Sequence, residues 1–206
     1  MSVIVVANPK GGVGKSTLAT QIAGWLARQG HAVSLGDLDR QQSSRQWLAL
    51  RPPQLPTILP WEVSADAVAR PPRGVSHAVI DTPAGLKGAR LEAALRVADR
   101  LVIPLQASLF DMQATHAFVQ ALRAHRRFGH WKIALVGMRV KEHALSRERL
   151  DEFVAALGLP LVARLRDTQN YVHLAAHGLT LFDIAPGRVE RDLEQFAPLA
   201  AWLADE

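Results

Sequence analysis

Residues 8–17 read Asn8-Pro9-Lys10-Gly11-Gly12-Val13-Gly14-Lys15-Ser16-Thr17, directly after the apolar run Val3-Ile4-Val5-Val6-Ala7. An apolar strand that feeds a glycine-rich turn and then opens a helix aims a row of backbone N–H groups and a positive helix end at one point. Such a cradle fits a polyphosphate. In it Gly11, Gly12, Val13 and Gly14 wrap the phosphates, Lys15 meets the β- and γ-phosphates and Ser16 holds Mg²⁺, with Thr17 in the same lining. The usual spacing of a phosphate-binding loop has Gly where Pro9 stands, and here a second lysine, Lys10, precedes the glycines.

The loop resembles the deviant Walker A motif of the ParA/MinD superfamily of ATPases. That resemblance implies ATP and Mg²⁺ as ligands and an ATP-bound sandwich homodimer, in which Lys10 matches the signature lysine that reaches the partner subunit's nucleotide. The plain alternative is a glycine-rich turn with a solvated lysine. The order of strand, loop, Lys-Ser-Thr and helix argues against it.

Composition narrows the class. The chain has 206 residues, is 49% hydrophobic and has a mean hydropathy of +0.04, which suits one globular domain spanning residues 1–206 with a sizeable core. No run approaches a membrane span, and the N-terminus enters the first strand without a basic leader, so a cytoplasmic place is expected. The sequence has no cysteine, which removes disulfides and thiolate-bound clusters. The cysteine-ligated iron–sulfur relatives of the superfamily are thereby excluded.

Periodicity predicts strands at 3–7, 32–36, 57–59, 77–80, 101–105, 132–137 and 161–163. It predicts helices at 15–28, 88–98, 111–127, 146–157, 168–177 and 188–204. Strands separated by helix-length stretches imply right-handed crossovers and an α/β fold: a mainly parallel, doubly wound sheet with helices on both faces. Arg51-Pro52-Pro53 and Arg70-Pro71-Pro72-Arg73 read as loops flanking a short insertion.

Two strand ends carry acidic chemistry. His77-Ala78-Val79-Ile80-Asp81 is an apolar strand closing on a carboxylate, the Walker B pattern, which puts Asp81 beside Mg²⁺; Thr82-Pro83-Ala84-Gly85 then forms a flexible, γ-phosphate-sensing turn. The second strand ends in Asp37-Leu38-Asp39. Either aspartate alone reads as readily as a helix cap. The resemblance gives Asp39 the placing of the attacking water. The stretch from Asp37 through Arg40-Gln41-Gln42-Ser43-Ser44 to Trp47 is similar to the switch of small ParA-type partition ATPases, with Arg40 where proline is usual and a turn expected to be less rigid for it. Trp47 reads as a packing residue. Ala98-Asp99 through Ser108-Leu109-Phe110-Asp111 is similar to a second stretch of that group and reads as a buried strand ending in Ser108, with Asp111 capping the next helix. A third, weaker likeness spans residues 166–183.

Arginine supplies 19 of the 24 basic residues; the formal net charge is +5 and the pI about 10.2, a balance that suits a polyanion. Arg164, Arg166, Arg188 and Arg191 are the candidate DNA-binding residues; Arg123, Arg126 and Arg127 fit equally a helix C-terminal dipole. The last helix mixes Glu190, Asp192 and Glu194 with Arg188 and Arg191, so it reads as docked on the body and not on a membrane. The resemblance therefore implies an ATP-dependent partition or positioning ATPase. Its ATP dimer would bind DNA non-specifically, hence a nucleoid-associated state, and a ParB-like or other adaptor would trigger hydrolysis. The alternative from another class is a metabolic enzyme resembling dethiobiotin synthetase.

Overall fold

Along β1 (Ser2–Val6) the side chains of Val3 and Val5 enter one core and those of Ile4 and Val6 another, because successive residues of a strand face opposite sides. The same alternation runs through β2 (Val33–Asp37), β3 (Ile58–Trp61), β4 (His77–Asp81) and β5 (Arg100–Leu105), and is broken near the end of β6 (Lys132–Val140) and in β7 (Leu161–Arg166), where the register shifts. The computed structural model describes residues 1–63, 70–141 and 145–205. All strand pairs are parallel, in the order β3-β2-β4-β1-β5-β6-β7. The interior strands are apolar on both faces, as a sheet covered on both sides requires.

The helices are α1 (Lys15–Arg28), α2 (Ser43–Leu50), α3 (Ala89–Val97), α4 (Leu109–Arg123), α5 (Leu145–Leu157), α6 (Asn170–Ala175) and α7 (Glu190–Ala204). Leu95, Phe118, Val119, Leu122, Leu150 and Val154 bring α3, α4 and α5 onto one face. Leu18, Ile22, Trp47, Leu174, Phe196 and Leu199 bring α1, α2, α6 and α7 onto the other. From β1 the chain crosses to β2 and β3, returns to β4, and then passes over β1 to β5, β6 and β7. The direction of winding thus reverses beside β1, and the crevice beyond the carboxyl ends there is where such folds bind ligands.

The expected elements are present, with shifted ends. Helix α4 begins at Leu109 and stops at Arg123, and the capping expectation is corrected. Ser108 is its N-cap, with Ser108 Oγ accepting from the Asp111 N–H, so Asp111 sits inside the first turn. The strand before it ends at Leu105, three residues short of Ser108. Strand β6 continues to Val140 through an irregularity beside β7. The insertion contributes the edge strand β3, while residues 64–69 lie outside the described residues, as does the C-terminal Glu206. The Arg123 guanidinium donates to the Leu157 carbonyl at the end of α5, so it serves a helix C-terminus, though not that of its own helix.

Helix α7 docks as expected: Val189, Phe196, Leu199 and Leu203 are buried, and the Arg100 guanidinium donates to the Trp202 carbonyl at 3.1 Å. Helix α2 is clamped at its far end. Asp183, whose side chain is fully buried, accepts from Arg51 Nη1 at 2.8 Å, Arg28 Nε at 3.1 Å and Thr180 Oγ1 at 2.7 Å. Gly178 has φ of 67° and lies so close that a β-carbon there would stand 2.5 Å from the backbone of Leu50 and Arg51, which restricts the position to glycine.

Burial alone would raise the Asp183 carboxyl, but hydrogen bonds from Arg51 and Thr180 and the Arg51 charge outweigh it and hold it below its ordinary range. A depressed folded value stabilises above the unfolded pKa and is lost as pH falls through the folded one. Asp183→Asn leaves Arg51 buried without its counter-charge and is expected to cost about 3–5 kcal/mol at pH 7. The loss should shrink towards pH 3. Urea unfolding of the two proteins at both pH values checks it; an equal loss at both would contradict the ion-pair origin.

Candidate nucleotide site

The loop between β1 and α1 is held from outside by amides. Asn8 Nδ2 donates to the Pro104 carbonyl and to Thr115 Oγ1, each at 2.9 Å, while Asn8 Oδ1 accepts from the Lys10 N–H. Gln106 Nε2 donates to the Gly12 carbonyl at 2.9 Å. Gly12 and Gly14 have φ of 76° and 91°, values open to glycine, and no side chain caps the first turn of α1. A helix start formed this way presents its N–H groups to an anion. The Lys15 ammonium is buried and donates to the Lys10 carbonyl at 2.7 Å. Burial pushes its pKa down, and Asp81 and Asp39 partly oppose that. Lys10 contributes only its N–H and carbonyl; its ammonium has no partner among the described residues.

Two carboxylates stand side by side next to the loop, because β2 and β4 pair with Asp37 opposite Asp81. Asp81 is fully buried. Its Oδ2 accepts from Ser44 Oγ at 2.7 Å, and its Oδ1 has no hydrogen-bond partner. Burial pushes the carboxyl up to about 6; the Ser16 and Ser44 hydroxyls and Lys15 oppose this, and Asp37 adds to it. Ser16 approaches the carboxylate without satisfying Oδ1. A buried carboxylate oxygen left without a donor, close to a hydroxyl, suits Mg²⁺, which takes one or two protein oxygens and completes its shell with phosphate and water. The residues present therefore fit Mg²⁺.

Asp37 does different work. Its Oδ2 accepts from the N–H groups of Ser44 and Arg45, at 2.8 and 3.2 Å, and its Oδ1 from the Asp39 N–H at 2.8 Å. It caps α2 from seven residues upstream, in place of Gln42, whose φ of 53° and side chain give no cap. Asp39 is half-exposed, and its Oδ1 accepts from the Gln41 N–H at 3.0 Å. Gln42 Nε2 ties the Asp37 and Asp39 carbonyls at 3.0 and 2.8 Å. The expected loosening of the turn by Arg40 is therefore met by local hydrogen bonds. Trp47 is buried, as expected of a packing residue.

Two clefts flank the loop. One, of about 440 Å³, is lined by Asp39, Arg40, Pro83, Gly85, Lys87 and Arg90 among others; its far wall is tied to the loop by the Gly85 N–H on the Pro9 carbonyl at 2.8 Å. The other, of about 450 Å³, joins Gly14 and Thr17 to Met138, Arg139, Gln169 and Tyr171. Arg139 has φ of 51°, and the buried Tyr171 hydroxyl has no hydrogen-bond partner among the described residues.

A family model described as the CobQ/CobB/MinD/ParA nucleotide binding domain matches residues 4–181. The chain belongs to this family. Its fold and its loop are those of a nucleotide-binding domain of the ParA/MinD kind. The maintenance of carboxysome distribution protein A of Halothiobacillus neapolitanus is 26% identical over 199 residues, 92% of this chain and 91% of that protein. The protein of the same name from Gloeobacter kilaueensis is 37% identical over 112 residues, 53% of this chain. The chain spans 51% of that relative's length in the match. A solved ATP complex of Cyanothece McdA superposes with a TM-score of 0.75 at 18% identity, covering 97% of this chain and 96% of that one, a likeness of fold.

The structure thus gathers Lys10, Gly11, Gly12, Val13, Gly14, Lys15, Ser16, Thr17, Asp39 and Asp81 around one crevice. The four candidate DNA arginines lie on β7, just before α7 and at its start, and of these Arg166 lines the 450 Å³ cleft together with Gly14 and Thr17. Arg164 is paired with Asp151 at 2.6 Å and Arg166 with Asp192 at 2.5 Å, while Arg188 and Arg191 are exposed. The sequence alone does not single out Ser44, although it lies in the Asp37–Trp47 stretch. Nor does it mark Asn8 as a brace or the cleft at Met138, Arg139 and Tyr171. No spacing rule marks a serine that bridges two strand ends.

For Asp81 a raised folded pKa means that its contribution to stability is full below about pH 4 and is lost as pH rises through about 6. The shift from 3.8 corresponds to about 3 kcal/mol against the fold at neutral pH. Asp81→Asn is expected to stabilise the nucleotide-free protein at pH 7.5 by up to that amount and to leave it unchanged near pH 4. Thermal melts without Mg²⁺ at both pH values measure this, and a destabilised variant at pH 7.5 would contradict it.

Proposed function

We propose that this chain is a positioning ATPase of the small ParA kind, a single ATPase domain whose Mg²⁺–ATP state pairs two copies face to face. The observation that carries the reading is the contrast between the two lysines of the loop. Lys15 is buried and turned back across its own cradle, whereas the Lys10 ammonium is uncommitted at the cradle's rim. A lysine in the second situation is available to a phosphate outside its own chain. Lys15 serves the chain's own β- and γ-phosphates, Gly11 to Thr17 line them, and Ser16 and Asp81 hold Mg²⁺, which neutralises phosphate charge. Asp39, at the crevice's edge and within electrostatic reach of Lys15, places the attacking water.

The relatives' names point to the cargo-positioning role; cargo here is a plasmid, a chromosome or a protein body carried through an adaptor, in the cytoplasm. Among the described residues no helix is long and apolar enough to cross a membrane. Exposed arginines at Arg147, Arg149, Arg188 and Arg191 support non-specific DNA contact by the dimer, since two linked weak basic faces bind far more tightly than one. Arg164 and Arg166 are bound into ion pairs with the body, so they contribute field more than direct contact.

Lys10→Ala is expected to bind ATP like the parent and to remain monomeric with it, while Lys15→Ala loses nucleotide binding. Light scattering with ATP, together with a nucleotide titration, reads both. A Lys10→Ala protein that dimerises normally would overturn the sandwich. The dimer in ATP, and not the ADP or nucleotide-free protein, is expected to shift unrelated DNA duplexes in gels, with affinity falling steeply with salt. Arg188→Glu with Arg191→Glu should weaken all duplexes alike and leave ATP affinity unchanged. No shift in any state at low salt would remove DNA from the mechanism.

A further inference from the structure

We propose that Arg40 is a catalytic residue of ATP hydrolysis, an arginine supplied by this chain itself that stabilises the γ-phosphoryl group in transfer. This deepens the site reading above and rests on it. Several arginines are committed elsewhere: Arg28 and Arg51 to Asp183, Arg45 to Glu62, Arg164 to Asp151 and Arg166 to Asp192. Arg100, Arg123 and Arg127 donate to carbonyls at element ends. Arg40 stands apart. Its side chain has no hydrogen bond or ion pair among the described residues, and it lines the 440 Å³ cleft between the Asp39 turn and the Pro83–Arg90 segment.

Three observations set the cleft against the phosphates. Its far wall is fastened to the loop by Gly85 N–H on the Pro9 carbonyl. Asp39, the residue before Arg40, acts electrostatically on the Lys15 ammonium. Lys87, a second cation, shares the lining. Turn geometry does not account for Arg40, because the Asp39 carboxylate and the Gln42 amide already hold the turn and the Arg40 side chain takes no part. A cation without a carboxylate partner, next to the group that places water, suits the charge that spreads over the γ-phosphate oxygens in transfer.

In the step itself the water oxygen forms a bond to the γ-phosphorus, and the bond from that phosphorus to the β–γ bridging oxygen breaks. ADP leaves with the electron pair on its terminal oxygen, and both of the water's protons leave on inorganic phosphate, as H₂PO₄⁻. Arg40 forms no covalent bond and keeps its proton throughout. Its guanidinium donates to equatorial oxygens of the γ-phosphoryl group, where two parallel N–H donors fit.

The test uses Arg40→Ala, Arg40→Lys and Arg40→Pro, the last keeping a firm turn without charge. Each is titrated with ADP and with ADP plus aluminium fluoride, which mimics the phosphoryl group in transfer, and each is assayed for basal ATP turnover. All should bind ADP within about twofold of the parent. The parent should bind ADP–aluminium fluoride much more tightly than ADP, and Arg40→Ala and Arg40→Pro should lose that tightening, with kcat down about 10²- to 10³-fold and KM unchanged. Arg40→Lys should fall between, and millimolar guanidinium should restore part of the Arg40→Ala rate. Alanine and proline variants that tighten and turn over like the parent would overturn the role of Arg40 alone. A parent that fails to bind ADP or to tighten with aluminium fluoride would overturn the site reading and this proposal with it.

Discussion

The structure turns on Ser44, which is held between two buried carboxylates. Its N–H donates to Asp37 at 2.8 Å and its hydroxyl to Asp81 at 2.7 Å. Pairing of β2 with β4 in parallel brings those carboxylates together, and two like charges in a buried place are tolerated only if donors surround them. Asp37 is satisfied by the start of α2 and by the turn before it. Asp81 is satisfied on one oxygen alone, and that shortfall lies beside the phosphate loop. One serine therefore joins the Asp81 carboxylate to the first turn of a helix.

That helix is tied at both ends. At its start Asp37 and Ser44 bind it to the crevice; at its finish Arg51 enters the Asp183 cluster, and Gly178 packs on its backbone. The same turn, 178–183, follows α6, whose Tyr171 and Val172 line the cleft beside Gly14 and Thr17. A rigid element fixed at both ends in this way is suited to carrying a change at the loop to the surface.

Much of this was legible in the sequence. The loop from Asn8 to Thr17 and the apolar strand ending in Asp81 specify the crevice, because each needs its residues in a fixed order along the chain, and the winding follows from strand and helix spacing. What escaped depends on contacts across the sheet. Ser44 acts only because β2 lies next to β4. The capping of α2 by Asp37 replaces a local cap that Gln42 does not give. The cleft around Arg139 and Tyr171 forms where residues more than a hundred positions from the loop return to it. Charge composition also misled in part: Arg164 and Arg166 look like a basic stripe in sequence, yet Asp151 and Asp192 meet them in space.

The central claim is that the phosphate crevice and α2 move as one unit through Ser44. Hydrogen exchange at individual amides, with and without Mg²⁺–ATP, tests it most directly. Protection should rise together in the loop at Gly11–Ser16 and in the turn and helix start at Asp39–Gln46, and the second rise should vanish in Ser44→Ala while the first remains. Protection confined to the loop in the unaltered protein would contradict the account.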